Sequence, residues 1–330
     1  MADDNIPNSP ATNGSSWERA VLEKLAMSAV NEQRKSRNWG ILFKSLGFLY
    51  LFILLFAIIG VMRGGSEKAI TGKHTAIVEL KGVIAPESGA SAGRVIEGLQ
   101  HAFKDKNAQG VILRINSPGG SPVQAGYIND EIHRLRKKYP EKPLYAVVQD
   151  ICASGGYYVA VAADKIFVDK ASLVGSIGVR MDGFGLTGAM EKVGIERRLV
   201  TAGENKGFLD MFSPLDPKQK EYAEKMVGEI HQQFIDVVKT GRGVRLKETP
   251  EMFSGLVWTG ERSVQLGLAD ALGSADYVAR EVIKAEEMVD YTHHDNLADR
   301  LARRFGAVGA QSFLQGLGLE SVGQGGVGLR

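Results

Sequence analysis

The feature that most constrains this chain is an uncharged run of seventeen residues, Leu46 to Met62. Extended back to Ile41, the run includes one charge, Lys44, close enough to its end to reach a membrane surface. The extended run is about as long as the hydrocarbon core of a bilayer requires, and it is apolar on all faces, unlike most core helices. The sequence therefore predicts a transmembrane helix over residues 41–62.

The flanks of this run predict its type and its orientation. About forty residues precede it and no Ala-x-Ala site follows it, which favours an uncleaved anchor over a cleaved signal peptide. Basic side chains are slightly more numerous before the run than after it. They are Arg34, Lys35, Arg37 and Lys44 on one side and Arg63, Lys68 and Lys73 on the other. The positive-inside rule then predicts a cytoplasmic N-terminus, with the larger C-terminal part across the membrane.

The segments on either side of the main domain have distinct compositions. Residues 1–40 are predicted to be a cytoplasmic tail, in which polar residues 1–16 are disordered. Residues 17–37 fit an amphipathic helix that either lies on the membrane surface or is a solvated juxtamembrane helix. A linker is predicted over residues 63–74, and a flexible glycine-rich tail over residues 291–330.

Over residues 75–290, short apolar strands alternate with segments of helical spacing, which predicts an α/β domain with a mainly parallel sheet. The predicted strands are Ala76–Leu80, Gly82–Ile84, Val111–Ile115, Leu144–Val148, Lys165–Val168, Arg197–Val200 and Leu256–Trp258. The predicted helices are Val95–Phe103, Ala125–Leu135, a small-residue helix after Ser154, a long helix from Pro217, and residues 261–266 and 275–287. The apolar face from Tyr222 to Val237 on the long helix fits either core or a subunit interface.

Composition excludes several classes of function. With a formal net charge of only +2, the chain has no general basic field that would attract nucleic acid. Its one cysteine, Cys152, cannot form an internal disulfide, and a buried residue at a strand end explains it better than a nucleophile does. No His-x-x-x-His or Cys/His cluster indicates a metal, and no cofactor is predicted.

Two glycine-rich turns are the strongest candidates for chemistry, although either one alone also fits an ordinary turn. They read Asn116-Ser117-Pro118-Gly119-Gly120 and Ala153-Ser154-Gly155-Gly156-Tyr157-Tyr158. Because each follows an apolar strand, both would lie at the carboxyl edge of a parallel sheet, where α/β proteins build their sites. Ser154 would bring a hydroxyl and the first N–H groups of a helix to a common point. The first turn can aim further N–H groups at an oxyanion there.

The residue pattern does not decide which side chain would act as the base for Ser154. The nearest histidine in sequence is His133, and the histidines fall on predicted polar helix faces, in the linker or in the tail, which disfavours a Ser-His-Asp arrangement. A lysine can act instead if burial lowers its pKa towards neutrality. The candidates are Lys165, Lys170, Lys192 and Lys206.

Taken together, these motifs resemble the bacterial signal peptide peptidase A family of Ser-Lys proteases, peptidase family S49, in its short membrane-anchored form. The resemblance covers residues 75–287 and rests on both turns and on two further motifs. The further motifs are Gly175-Ser176-Ile177-Gly178-Val179 and Trp258-Thr259-Gly260 with Gly267-Leu268-Ala269-Asp270. The resemblance implies a Clp-protease/crotonase-like spiral of β-β-α units, preceded by a single transmembrane helix.

The resemblance also implies a role for each matching residue. Ser154 corresponds to the nucleophile, Lys206 to its base and Ser176 to the serine that orients the lysine. The implied oxyanion donors are the N–H groups of Gly120 and Gly155, with Gly119 adjacent. The lysine loop departs from the family pattern Gly-x-Tyr-Lys-Asp, because residues 203–207 read Gly-Glu-Asn-Lys-Gly and lack the tyrosine and the aspartate.

The resulting hypothesis is a membrane-anchored serine endopeptidase that degrades cleaved signal peptides or other apolar peptides. The resemblance implies a homo-oligomer, ring-like or dome-like, in which serine and lysine can come from neighbouring protomers. It implies a single-pass protein of the bacterial inner membrane with its protease domain on the periplasmic side. Two alternatives stay open: a catalytically silent membrane scaffold that binds peptides or partner proteins, and a crotonase-like acyl-CoA enzyme.

Overall fold

The computed structural model describes residues 14–63 and 72–293, and the chain divides into two compact units, residues 1–69 and 70–330. The predictions for residues 1–13, for most of the linker and for the tail from residue 294 lie outside the described residues.

The first unit contains one long helix, α1 (Gly14–Arg63). It joins the two helices expected over residues 17–37 and 41–62, and it includes residues 14–16, for which the prediction of disorder was wrong. No proline interrupts the segment, and single glycines such as Gly40 weaken a helix by only about 1 kcal/mol each. Within it, Arg37–Phe56 is long and apolar enough to cross a membrane by length and composition, with a mean hydropathy of 2.0 and no burial.

The second unit is built on a mixed sheet that is parallel except at one edge. Its strands are β1 (His74–Lys81), β2 (Ala108–Ser117), β3 (Leu144–Ala153), β4 (Lys165–Val168), β5 (Leu173–Gly175), β6 (Val257–Thr259), β7 (Ala271–Leu272) and β8 (Met288–Asp290). The main order is β6-β5-β3-β2-β1-β8, and β4 pairs with both β3 and β7. Only the β5–β6 pairing is antiparallel among the strands described.

Helices cover both faces of this sheet. The helices of this unit are α2 (Ala92–Lys104), α3 (Pro122–Lys138), α4 (Gly155–Ala160), α5 (Thr187–Lys192), α6 (Pro217–Arg242), α7 (Gly260–Gln265) and α8 (Ala275–Tyr277). Helix α5 has no buried residue and does not cover the sheet. Successive strand residues point to opposite faces, so Val78 enters the larger core while its neighbour Ile77 enters a second, smaller one. Burial on both faces explains why the central strands read as continuous apolar runs.

The structure corrects three predicted elements. Gly82–Ile84 is no strand but a single bridge from Ile84 to Gly120. Residues 197–200 are exposed coil, because none of the strands that the structure describes pairs with them. Residues 275–287 are not one helix: α8 passes into a π-helical turn that ends at Lys284 in a left-handed conformation. The chain then forms β8, which pairs with β1.

Helix α6 begins as its sequence indicates, since the Asp216 side chain accepts a hydrogen bond from the Lys218 N–H at 2.8 Å. Its apolar face divides into two parts. Phe234 and Val238 are buried in the core, whereas Tyr222 near the N-terminal end is 63% exposed. The face is therefore core only over its C-terminal half.

A buried ion pair joins the end of α6 to the sheet. Arg242 is 1% exposed, and its guanidinium donates to Asp270 Oδ2 at 2.9 Å and to the Gly267 carbonyl at 2.8 Å. The same carboxylate accepts from Arg245 and from the backbone N–H of Ile166, the second residue of β4. Asp270, the last residue of the Gly-Leu-Ala-Asp motif, therefore has a structural part in this fold.

We expect Asp270→Asn to lower the free energy of unfolding by about 3–5 kcal/mol, because Arg242 would remain buried without its counter-charge. Glu248→Gln is the matched control, since Glu248 pairs with Lys239 at 2.9 Å with both side chains about half exposed. It should cost at most about 1 kcal/mol. Urea unfolding of the detergent-solubilised chain measures both, and equal losses would contradict the structural part given to Asp270.

The same pair predicts a pH dependence. Burial acts to raise the pKa of Asp270, but the hydrogen bond and charge of Arg242 outweigh it and hold that pKa below its ordinary value. The stabilisation from ionised Asp270 is therefore complete above the ordinary carboxyl pKa and is lost as the pH falls through the lowered one. Asp270→Asn should flatten this acid limb of the unfolding free energy, and an unchanged limb would contradict the assignment.

Candidate active site

The two glycine-rich turns meet at the carboxyl edge of the sheet, as the sequence predicts. Strands β1, β2 and β3 lie side by side and parallel, with Lys81 opposite Asn116 and Ser117 opposite Cys152. The chain therefore leaves β2 and β3 at nearly the same level. This register brings the segment after Ser117 against the segment after Ala153.

Ser154 occupies a strained turn between β3 and α4. Its backbone has φ 52° and ψ −123°, a conformation that costs energy for any residue with a side chain. The turn is held because the Ser154 N–H donates to the Gly175 carbonyl and its own carbonyl accepts from Tyr158, at 2.8 and 2.9 Å. The Ser154 hydroxyl makes no capping bond to α4, and the residue is half-buried. Within the part of the chain that the structure describes, its oxygen makes no hydrogen bond and is available for other chemistry.

The Pro-Gly-Gly turn packs directly on this serine. A Cβ atom on Gly119 would lie 2.7 Å from Ser154 Cβ and 2.7 Å from the Gly155 nitrogen. A Cβ atom on Gly120 would lie 2.1 Å from the Ile84 carbonyl oxygen, at a φ of 149°. Both positions therefore require glycine for contact reasons as well as for backbone freedom.

Two backbone N–H groups next to Ser154 are available to an anion. The Gly119 carbonyl accepts from the Ile84 N–H at 2.9 Å, and in a trans peptide the following N–H, that of Gly120, points the opposite way. The Gly120 nitrogen lies 3.3 Å from where a Cβ on Gly155 would be. Within the described residues, neither the Gly120 nor the Gly155 N–H donates a hydrogen bond. Such a pair can stabilise an oxyanion.

Ser176 lies next to this centre. Its neighbour Gly175 accepts the hydrogen bond from Ser154, and Ser176 itself has φ 50° with its N–H bonded to the Leu256 carbonyl at 2.7 Å. The following Ile177 carbonyl accepts from His231 Nε2 at 3.1 Å. The sequence interpretation placed His231 on a polar helix face and missed this contact.

Within the described residues, none of the candidate lysines is hydrogen-bonded to Ser154. Lys206 is exposed, and its amine makes no hydrogen bond or ion pair within residues 14–63 and 72–293. Its backbone N–H donates to the Gly203 carbonyl at 3.1 Å, which closes a local turn. The other three candidates, Lys165, Lys170 and Lys192, are exposed as well. The described residues therefore show Ser154 beside two unbonded N–H groups, with no lysine hydrogen-bonded to it.

A large apolar groove lies between α6 and the segment that carries Lys206. Its volume is about 1350 Å³, and its lining includes Met181, Phe184, Phe208, Leu209 and Met226. The same segment exposes large apolar side chains to solvent, and Val200 is 93% exposed. Apolar surface of this extent is typical of a binding surface.

Two other chemistries find no support in the described residues. Cys152 is fully buried, and burial raises the pKa of its thiol, so it stays protonated and poorly nucleophilic. Within the same residues, no group of three or more His, Cys, Asp or Glu side chains is placed to hold a metal ion. A serine on a strained strand-to-helix turn beside free N–H groups is the arrangement that serine hydrolases use.

Comparison with known proteins agrees with this class. The model of peptidase family S49 matches residues 136–289. A protein of Methanocaldococcus jannaschii named as a putative protease is 30% identical over 270 residues, which cover 75% of this chain and 86% of that protein. The chain therefore belongs to peptidase family S49.

Two longer proteins match only in part. The chloroplastic serine protease SPPA of Arabidopsis thaliana is 33% identical over 217 residues, which cover 65% of this chain and 32% of that protein. The Na(+)/H(+) antiporter NhaA of Brucella melitensis is 46% identical over 175 residues, which cover 53% of this chain and 24% of that protein. The chain thus spans about a quarter of the length of the Brucella relative.

The contact between the Pro-Gly-Gly turn and Ile84 predicts the effect of one added methyl group. We expect Gly120→Ala to lower the free energy of unfolding by about 1–3 kcal/mol, because the new Cβ would overlap the Ile84 carbonyl. Amide hydrogen exchange should show lost protection at Ile84 and Ser121, whose N–H bonds join the turn to residue 84.

Gly126→Ala is the matched control, since this glycine lies in α3 close to the turn and nothing stands within 4 Å of the added atom. It should raise stability by about 0.5–1 kcal/mol, as alanine does in a helix. A Gly120→Ala chain as stable as the Gly126→Ala chain would show that the turn does not pack as described.

Proposed function

We propose that this protein is a membrane-anchored serine endopeptidase that uses Ser154 as nucleophile and Lys206 as base. The observation that carries the proposal is the packing of the Pro-Gly-Gly turn on the strained serine, with a Cβ on Gly119 only 2.7 Å from Ser154 Cβ. Membership of a peptidase family supports the reaction type.

The proposed chemistry is acyl transfer to serine. The neutral Lys206 amine takes the proton of the Ser154 hydroxyl as its oxygen attacks a peptide carbonyl. The N–H groups of Gly120 and Gly155 bind the oxyanion, and the resulting lysine ammonium then protonates the leaving amine. Water attacks the acyl-enzyme in the second half of the reaction and frees Ser154. Ser176, which lies beside the turn that carries Ser154, orients the lysine amine.

Lys206 is proposed to reach Ser154 from a neighbouring chain of a homo-oligomer. A lysine accepts a proton only in its neutral form, which removal from water favours. In a single chain this residue is exposed, and the segment around it exposes large apolar groups such as Ile195 and Val200. Packing of this segment on another copy would bury both the apolar groups and the lysine.

The proposed substrates are extended apolar peptides at the membrane, such as cleaved signal peptides. The apolar lining of the groove beside α6 supports this class, and so does the apolar span Arg37–Phe56 in the same chain. We further propose that this span anchors the protein in the bacterial inner membrane, with a cytoplasmic N-terminus and the protease domain on the periplasmic side. We also propose that the protease domain has the spiral arrangement of β-β-α units.

Substitution of the two catalytic residues tests the proposed reaction. Ser154→Ala should lower kcat on the order of 10⁶-fold, as loss of a serine nucleophile does. Lys206→Ala should lower kcat about 10²–10⁴-fold, which is the usual contribution of a general base. Lys192→Ala, another exposed lysine of the same segment, is the control and should leave turnover unchanged. Cleavage of an apolar fluorogenic peptide by the detergent-solubilised chain measures all three.

Co-expression of the Ser154→Ala and Lys206→Ala chains tests the shared site. If serine and lysine come from different chains, mixed oligomers contain some complete sites and recover part of the cleavage activity. If both come from one chain, no mixture recovers activity. Near-normal turnover of Lys206→Ala alone would contradict the proposed base.

A catalytically silent scaffold is the second candidate. It is favoured by the exposure of Lys206 and by the atypical loop sequence at residues 203–207. A fluorophosphonate probe distinguishes the two, because it labels only an activated serine. Labelling of the parent chain but not of Ser154→Ala supports the peptidase, whereas an unlabelled parent oligomer supports the scaffold.

A further inference from the structure

Ser117, the last residue of β2, is fully buried and belongs to the turn that packs on Ser154. A serine before Pro-Gly-Gly reads as an ordinary turn residue, and its sequence gives no reason to expect chemistry. In the structure, its hydroxyl connects two separate pieces of backbone, and the residue packs against a third. It lies at the end of β1, at the Pro-Gly-Gly turn and beside α4.

The Ser117 hydroxyl makes two hydrogen bonds of defined direction. The O–H group donates to the Gly82 carbonyl at 2.6 Å, and its oxygen accepts from the Gly119 N–H at 3.1 Å. Because a carbonyl can only accept and an N–H can only donate, both roles of the hydroxyl are fixed. Gly156 of α4 packs on the same residue, since a Cβ there would lie 3.0 Å from the Ser117 carbonyl oxygen.

These bonds fix the peptide that carries the oxyanion donor. The Gly119 N–H is held by Ser117, and the Gly119 carbonyl is held by the Ile84 N–H at 2.9 Å. With both ends of this residue pinned, the plane of the next peptide is set, and with it the direction of the Gly120 N–H. Glycine at positions 119 and 120 would otherwise leave this plane free to rotate.

We propose that Ser117 is a positioning residue for catalysis: its buried hydroxyl holds the Gly120 N–H towards the oxyanion. The inference rests on the proposed function, because it assigns a part in that reaction to a residue which touches no substrate. Preorganised donors stabilise the transition state only where they need no reorientation during the reaction. Loss of the hydroxyl should therefore lower kcat and leave substrate binding almost unchanged.

The chain offers a matched control in Ser172. This serine is 2% exposed, and its hydroxyl also joins two backbone groups. It donates to the Gln149 carbonyl at 2.5 Å and accepts from the Asp169 N–H at 3.0 Å. Removing either hydroxyl deletes the same two kinds of bond, but only Ser117 is bonded to the turn beside Ser154. A merely structural role predicts similar effects for both.

The test compares Ser117→Ala and Ser172→Ala in the full solubilised chain with an apolar peptide substrate. Removal of a whole oxyanion donor costs about 10²–10³-fold in kcat, so a misdirected donor should cost about ten- to a hundredfold. We expect that loss for Ser117→Ala with KM within about twofold, and parent-like kcat for Ser172→Ala. Affinity for a peptide boronate, which forms a tetrahedral adduct on serine, should fall in step with kcat/KM.

Ser117→Cys provides a second variant if the alanine chain folds poorly. Its thiol fills the space of the hydroxyl but is a weak donor and acceptor, so it should show the same loss of kcat. Equal kcat for the Ser117 and Ser172 variants, with an active parent, would overturn the role of Ser117 alone. A parent chain that cleaves nothing and binds no boronate would overturn the proposed function, and this inference with it.

Discussion

The site depends on one close approach, that of the turn after β2 to the turn after β3. A single methyl group on Gly119 would come within 2.7 Å of Ser154 Cβ, so no side chain fits between the two turns. The parallel register of β2 and β3 forces this approach, because both strands end at the same level. The need for glycine at position 119 follows from it, whereas glycine at position 120 is required by the Ile84 carbonyl. The Gly120 and Gly155 N–H groups lie at this contact, and neither donates a hydrogen bond within the described residues.

Several contacts hold the strained backbone of Ser154 in the turn between β3 and α4. Gly175 accepts its N–H, and the buried helix α4 follows it at once. Tyr157 anchors that helix, since its buried hydroxyl donates to the Leu268 carbonyl at 2.8 Å. Leu268 lies two residues before Asp270, whose carboxylate is bonded to Arg242. The motif around Ser154 and the Gly-Leu-Ala-Asp motif are therefore parts of one network of contacts.

Much of this arrangement could be predicted from the sequence, because apolar runs and strand-ending glycines are local signals. The central strands, the start of α6 and the meeting of the two turns follow from them. The prediction of a strand over Arg197–Val200 was wrong, because a local sequence pattern does not show whether another strand lies beside it to pair with. Strand β8 was missed because its three residues depend on the open edge of β1. The hydrogen bond from the Ser117 hydroxyl to Gly82 could not be predicted for a similar reason, since Gly82 is distant in sequence. The base for Ser154, and the chain that supplies it, stay a prediction.

We expect the Gly120 and Gly155 N–H groups to point at the position where Ser154 would hold an oxyanion. The most direct measurement is a high-resolution structure of the solubilised oligomer with a peptide phosphonate bound covalently to Ser154. We predict one phosphonyl oxygen about 2.7–3.1 Å from both nitrogens, with a lysine amine beside the Ser154 oxygen. A phosphonyl oxygen that points to solvent, with the Gly120 N–H turned away from it, would contradict the account.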